Sequence, residues 1–250
     1  KKFLNTGNKT ILYSFILIVF LIQGCGSEYV KSPVDDLISK LDKVPKFTII
    51  LNDMDAEGTF FKTYKHQYKI LKQYDSIPQE EITPWTEVSE DFFWKHENDL
   101  GMEIAAKGED GKIVKGVAPA GFSNYVGNPK YGHWVNGAGG TSVWEFFGYY
   151  AFMNTIFNMG SYRVGRGWYD DYNNNYRYRK PYYGPMDGGV SKYGTYSKTT
   201  YDTKPPTFLD KVAKIKQKGS SFKDRVAKKV TRSGDKNNYN FRSRGGGFGK

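Results

Sequence analysis

The chain has 250 residues, a formal net charge of +11, 38% hydrophobic and 25% charged residues, with 20 Tyr, 28 Gly, three His and a single Cys. One Cys excludes a disulfide framework within the chain, and one Cys with three His excludes a Cys-rich zinc module. The hydrophobic fraction suffices for a core, whereas the Gly and Tyr content and a mean hydropathy of −0.64 describe a chain folded only in part.

The two signs of charge are segregated. Residues 1–25 carry Lys1, Lys2 and Lys9 and no acid; residues 26–160 hold 13 Lys, no Arg and 19 acidic residues, net −6; residues 161–250 hold 13 Lys, 8 Arg and 7 Asp, net +14. A domain boundary is therefore expected near residue 160.

The first element is a basic start followed by an apolar run over 11–22, the parts of an export signal. Twelve helical residues span roughly 18 Å, short of the roughly 30 Å hydrocarbon core, which favours a cleaved segment over a membrane span. The run ends in Ile22-Gln23-Gly24-Cys25, which resembles a bacterial lipobox, with Gln23 in place of the usual small or β-branched residue. The resemblance implies removal of a signal peptide, 1–24. It also implies that Cys25 carries diacylglycerol and an amide-linked acyl chain, that 25–31 form a tether, and that the body lies outside the cytoplasm at the inner or outer membrane. More than one acyl chain is what stable anchoring requires.

Residues 32–140 read as an α+β domain, a small antiparallel sheet with a few short helices. Ser32-Pro33 with Asp35 and Asp36 marks a helix start, and Val34, Leu37, Ile38 and Leu41 continue at helical spacing to about Lys43. A β-type run at 47–51, a turn-rich stretch at 52–58 and alternation over 59–74 predict a hairpin. A strand is expected at 82–88, then a helix capped by Ser89 and running to about Asn98. A second hairpin, 102–106 with 113–117, should turn at Asp110-Gly111. Ordered loops fill 119–140. The aromatic run 142–159 predicts a single helix within the segment 141–160, either buried, partner-binding, lying in a membrane interface or, at a cost set by Glu145, Gly148, Asn154 and Asn158, spanning the membrane.

Residues 161–250 hold 8 Ile, Leu, Val or Met against 11 Tyr and 12 Gly, which predicts a largely disordered basic tail. Within it Phe208-Leu209-Asp210-Lys211-Val212-Ala213-Lys214 recurs as Phe222-Lys223-Asp224-Arg225-Val226-Ala227-Lys228, giving two short basic amphipathic helices, 208–218 and 222–231. Lys211, Lys214, Lys216, Lys218, Lys223, Arg225, Lys228, Lys229 and Arg232, with Arg242 and Arg244 beyond them, are the expected contacts to anionic lipid or polysaccharide. The end, 242–249, resembles the RGG-type segments of RNA-binding proteins, but export argues against nucleic acid as the target.

No cofactor or metal is expected. His66, His96 and His133 lie in separate segments, and Asp53 to Gly58 resembles half an EF-hand loop whose twelfth position is Tyr64 rather than an acid. Gly137-Ala138-Gly139-Gly140 lacks the preceding strand and basic partner of a phosphate loop. The layout of lipobox, small domain, aromatic helix and Gly-rich basic tail ending in Gly246-Gly247-Phe248-Gly249 resembles uncharacterised bacterial lipoproteins, including the YgiB-like family. The expected function is a non-enzymatic cell-envelope lipoprotein, anchored through Cys25, with a domain that binds a partner such as an envelope protein. The alternatives are an envelope enzyme with a pocket around His133 and a self-associating structural protein.

Overall fold

The described residues of the structure, a computed structural model, are 32–58, 63–157, 159, 163–203 and positions 210, 213, 214 and 217. Helix α1 (Pro33–Lys40) places Asp35 and Asp36 at its positive end and buries Val34. Leu41 and Val44 extend the buried face into the following turn. Strands β1 (Lys46–Glu57) and β2 (Thr63–Gln73) form the first hairpin, paired antiparallel from Lys46↔Gln73 to Glu57↔Thr63. Residues 52–57, expected to turn, extend β1 instead. Past a bulge between Leu51 and Asp53, Met54 is fully buried between half-buried Asp53 and Asp55, so the two-residue period of a strand continues.

The expected strand at 82–88 is two strands, β3 (Gln79–Ile82) and β4 (Thr86–Val88), both paired with β2. Pro84 has no N–H to give to a ladder and breaks the run. Thr83 holds the junction, its N–H donating to Tyr68 O at 2.8 Å and its hydroxyl accepting from Tyr68 N at 3.0 Å. Helix α2 (Glu90–Lys95) begins where the capping hydroxyl of Ser89 accepts from Phe92 N. Strand β5 (Met102–Lys107) pairs with β1, with β6 (Ile113–Val114) and with β7 (Ala118–Pro119), all antiparallel. The β5–β6 turn is the one expected: Gly111 takes φ +75°, and Asp110 accepts from Lys112 N. The sheet order is β3-β2-β1-β5-β6, with β4 on β2 and β7 on β5. The fold is therefore α+β, a small antiparallel sheet with short helices.

Both faces of the sheet are covered where the first half of β1 meets the end of β2 and β5. On one, Phe47, Ile49, Leu51, Tyr68 and Ile70 pack with Leu41 and Val44 beside α1 and with Phe93 and Trp94 of α2. On the other, Ile50 and Leu71 pack under the later chain, from Phe122, Tyr125 and Tyr131 to Tyr172 and Tyr182. That second layer corrects two expectations. The stretch 142–159 is not one helix: Ser142–Phe146 is β9, paired with β8 (Gly132–Asn136), followed by a 3-10 turn (Gly148–Tyr150) and a short helix, α3 (Met153–Ile156). A continuous aromatic run has no period of its own. Trp144 opposite Trp134, with ring centroids 5.1 Å apart, selects the strand.

The boundary at residue 160 does not hold either, and the described part of the basic segment is ordered. It forms α4 (Arg166–Asp171), a π-helical turn (Tyr172–Tyr176), a ribbon of β10 (Met186–Asp187) with β11 (Val190–Ser191), and α5 (Lys198–Thr203). Val164, Tyr172, Tyr182 and Tyr193 are buried. A count of aliphatic residues missed this because each Tyr buries a ring as large as any aliphatic side chain. Of the first expected basic helix, Asp210, Ala213, Lys214 and Gln217 have helical backbone and are exposed; the second lies outside the described residues.

Phe122 joins the layers, its ring within 6.2 Å of Tyr169, Tyr172, Tyr182 and Tyr193. Phe122→Ala should cost about 3–5 kcal/mol in denaturant unfolding and make 163–203 the first region cut by protease. A loss under about 1 kcal/mol would contradict this packing.

Candidate functional site

The buried second face of the sheet is polar at one end. Lys46 opens β1, Gln73 closes β2 opposite it, and Glu103 of β5 pairs with Ile50 across a bulge. All three are buried. The Lys46 ammonium donates to the Tyr131 hydroxyl at 2.8 Å and to Asn124 O and Glu109 Oε1, both at 3.3 Å, and lies 4.7 and 4.5 Å from the ring centroids of Tyr125 and Tyr131. The Tyr131 hydroxyl in turn donates to Gln73 Oε1 at 3.0 Å. Burial lowers Lys46 to about 8 even though Glu109 opposes it.

Glu103 is held from the other side. Its carboxylate accepts from Gly121 N at 2.9 Å, from Ser123 N at 3.0 Å and from the Ser123 hydroxyl, which also meets the Tyr172 hydroxyl at 3.1 Å. Burial raises it to about 7 against those bonds and the Arg177 charge. Lys46, Glu109, Ser123, Asn124, Arg177 and Tyr178 line a polar cavity of about 180 Å³. Arg177 donates to Ser123 O and Asn173 Oδ1, and its buried Nε has no partner among the described residues. Tyr178 beside it takes φ +63°. Lys46 and Glu109 are paired within this cavity, which makes it an anchor of the fold first.

On the opposite face the structure joins histidines that sequence spacing had left apart. His66 of β2 is fully buried among Tyr68, Phe92 and Phe93, its ring centroid 6.2 Å from that of His96. His96, at the end of α2, contacts Asp99 Oδ2 through Nδ1 at 2.7 Å, and Asp99 Oδ1 accepts the Tyr183 hydroxyl at 2.6 Å. Burial, and then His96, depress His66 to about 3. Beyond Tyr183 opens a cleft of about 370 Å³ walled by Tyr176, Tyr182, Tyr183, Tyr193 and Tyr196, with Met186 at its exposed edge. Asn98, Ser191 and Thr195 also line it. No spacing rule marks this site, since its walls come from α2's end, the π-turn and the β10–β11 ribbon. The only sequence signal was the density of Tyr.

His133, by contrast, is exposed on the β8–β9 ribbon, opposite Glu145 in register and stacked on Phe147 with centroids 5.2 Å apart. At this exposed position the described residues give the His133 alternative no added support. The half EF-hand lies in β1, where the Asp53 and Asp55 carboxylates accept from the next backbone N–H groups. Among the described residues no group of three or more His, Cys, Asp or Glu is placed to hold a metal ion, and no helix is long and apolar enough to cross a membrane. Residues 137–140 form the loop joining β8 to β9 and precede a strand, not a helix. Cys25, Lys211, Lys216, Lys218, Lys223, Arg225, Lys228, Lys229, Arg232, Arg242 and Arg244 lie outside the described residues; Lys214 is exposed. Comparison with protein-family models, curated proteins and solved structures gives no match.

His66 makes stability sensitive to acid. Its folded value lies below the unfolded 6.5, so the stability of the neutral ring is present above pH 6.5 and is lost as pH falls toward about 3. Glu103, raised to about 7, gives the opposite slope, stabilising below 4.5 and losing that contribution as pH rises through 7. Chemical denaturation of His66→Phe should show a flatter stability profile than the parent between pH 6.5 and 3; an unchanged slope would place the acid sensitivity elsewhere.

Proposed function

We propose that the chain is a non-enzymatic cell-envelope lipoprotein, anchored through Cys25, whose folded domain binds a partner and whose basic tail contacts anionic lipid or polysaccharide. One observation carries the reading. The single Cys follows Gly24 at the end of the apolar run 11–22, and α1 begins at Pro33, leaving only a short tether between the anchor and the folded domain. Burial of Glu97, Asp99 and Glu103 supports a division of labour: part of the acidity of 26–160 is spent inside the fold, while Lys and Arg accumulate beyond α5. Several basic side chains near an anionic surface contribute about 1 kcal/mol each. The Tyr-walled cleft supplies the domain with a concave site of the size small ligands use.

Mass spectrometry of the membrane-extracted protein should find a mature chain starting at Cys25 and carrying acyl mass; an uncleaved, unmodified start contradicts the anchor. With 1–25 removed, deletion of 205–250 should weaken binding to anionic vesicles by more than about tenfold near 0.1 M salt. Equal binding by the shortened form contradicts the role of the tail.

A further inference from the structure

We propose that the tyrosine-walled cleft beyond Asp99 binds a quaternary ammonium group. This inference concerns the folded domain alone and rests on neither the anchor nor the tail.

The first argument is the wall. Five tyrosines line an open cleft of about 370 Å³, with Tyr176, Tyr183 and Tyr196 half-exposed and Tyr182 and Tyr193 buried behind its surface. Aromatic faces carry negative charge and attract cations, and a cage of several rings is how proteins recognise methylated ammonium groups. The same region already pairs rings with cations: the Lys180 ammonium lies 4.4 Å from the centroid of Tyr176, and the Lys192 ammonium 5.8 Å from that of Trp168. Among the described residues lining the cleft, none is Lys or Arg.

The second argument is charge. Asp99 is buried behind the wall and accepts a hydrogen bond from the Tyr183 hydroxyl at 2.6 Å, which polarises electron density toward that ring. Burial, then Asp99 and the also buried Glu97, raise the Tyr183 hydroxyl, and burial with Glu97 holds Tyr196 at about 12. The cleft therefore has a negative rear and a ring-lined interior with no carboxylate in direct reach. Such a site favours a cation that is weakly hydrated and clad in methyl groups. A bare ammonium would lose a tight water shell and find no carboxylate to replace it.

The third argument is rigidity. Tyr182 is fixed by its N–H to Val117 O and its hydroxyl to Trp168 O, both 2.9 Å; Tyr193 N donates to Tyr183 O at 3.0 Å, and Thr195 N to Asn98 O at 2.9 Å. A cage already assembled loses little conformational freedom on binding.

The test compares choline with 3,3-dimethyl-1-butanol, its uncharged isostere, on the full chain. The readout is saturation transferred in NMR from tyrosine ring protons to the ligand methyls. Choline should bind at least about tenfold more tightly than the isostere. Tyr176→Leu, which keeps an apolar wall but removes a ring, should abolish that preference while leaving isostere binding within about twofold. Glycerophosphocholine distinguishes the source: tighter binding than choline assigns the site to a lipid headgroup, equal binding to a free quaternary amine, and either supports the cage. Equal binding of choline and isostere, or no transfer to choline, overturns it, and needs no variant to be folded.

Discussion

The structure depends on the need to bury a polar face. Where the first half of β1 meets the end of β2 and β5, the sheet is covered on both sides, and the second side presents Lys46, Thr48, Gln73 and Glu103 alongside Ile50 and Leu71. A purely aliphatic cover would leave these groups without partners, at about 1–3 kcal/mol for each neutral group and more for a charge. Tyrosine can answer both demands with one side chain, a large ring to exclude water and a hydroxyl to pair, although the buried Tyr125 hydroxyl itself has no hydrogen-bond partner among the described residues. Tyr131 bridges Lys46 and Gln73, Tyr125 lays its ring against the Lys46 ammonium, and Tyr172 meets the Ser123 that holds Glu103. Asn124 completes the cover, its side-chain amide donating to Phe47 O, Thr48 Oγ1 and Lys107 O.

This constraint explains which parts of the fold were legible in the sequence. Signals confined to a few neighbouring residues read through: acids at the start of α1, Ser89 before α2, Asp110-Gly111 between β5 and β6, and the alternation of β2. Signals that need a partner distant in sequence did not. The run 142–159 became a strand and a short helix because Trp144 has Trp134 to face. The segment after residue 160 is poor in aliphatics, but its rings pack with Phe122 over the sheet, and the Tyr172 hydroxyl meets Ser123. The bulges, one at Asn52 in β1 and one at Ile104 in β5 that brings Glu103 opposite Ile50, leave no trace in composition.

The candidate sites follow the same division. Lys46 and Glu103 sit in ordinary strand sequence, and only tertiary pairing shows them as buried charges. The chain from His66 through His96 and Asp99 to Tyr183 spans three separate segments, and the cleft beyond it uses the outward faces of the tyrosines whose neighbours cover the sheet. Structural and binding roles thus draw on one residue type. In the proposed lipoprotein, the domain would carry its site on the rigid tyrosine layer, while the lipid anchor and the basic tail would act at opposite ends of the chain.

The central claim, that hydroxyl-bearing rings stabilise this fold because they satisfy a buried polar sheet face, is tested most directly by a double-mutant cycle between Lys46 and Tyr131. The account predicts that Tyr131→Phe costs about 1–3 kcal/mol in the parent chain and much less in the Lys46→Met background, a coupling of about 1 kcal/mol or more. Additive losses, within about 0.3 kcal/mol, would show that the hydroxyl does not answer the buried lysine and would contradict it.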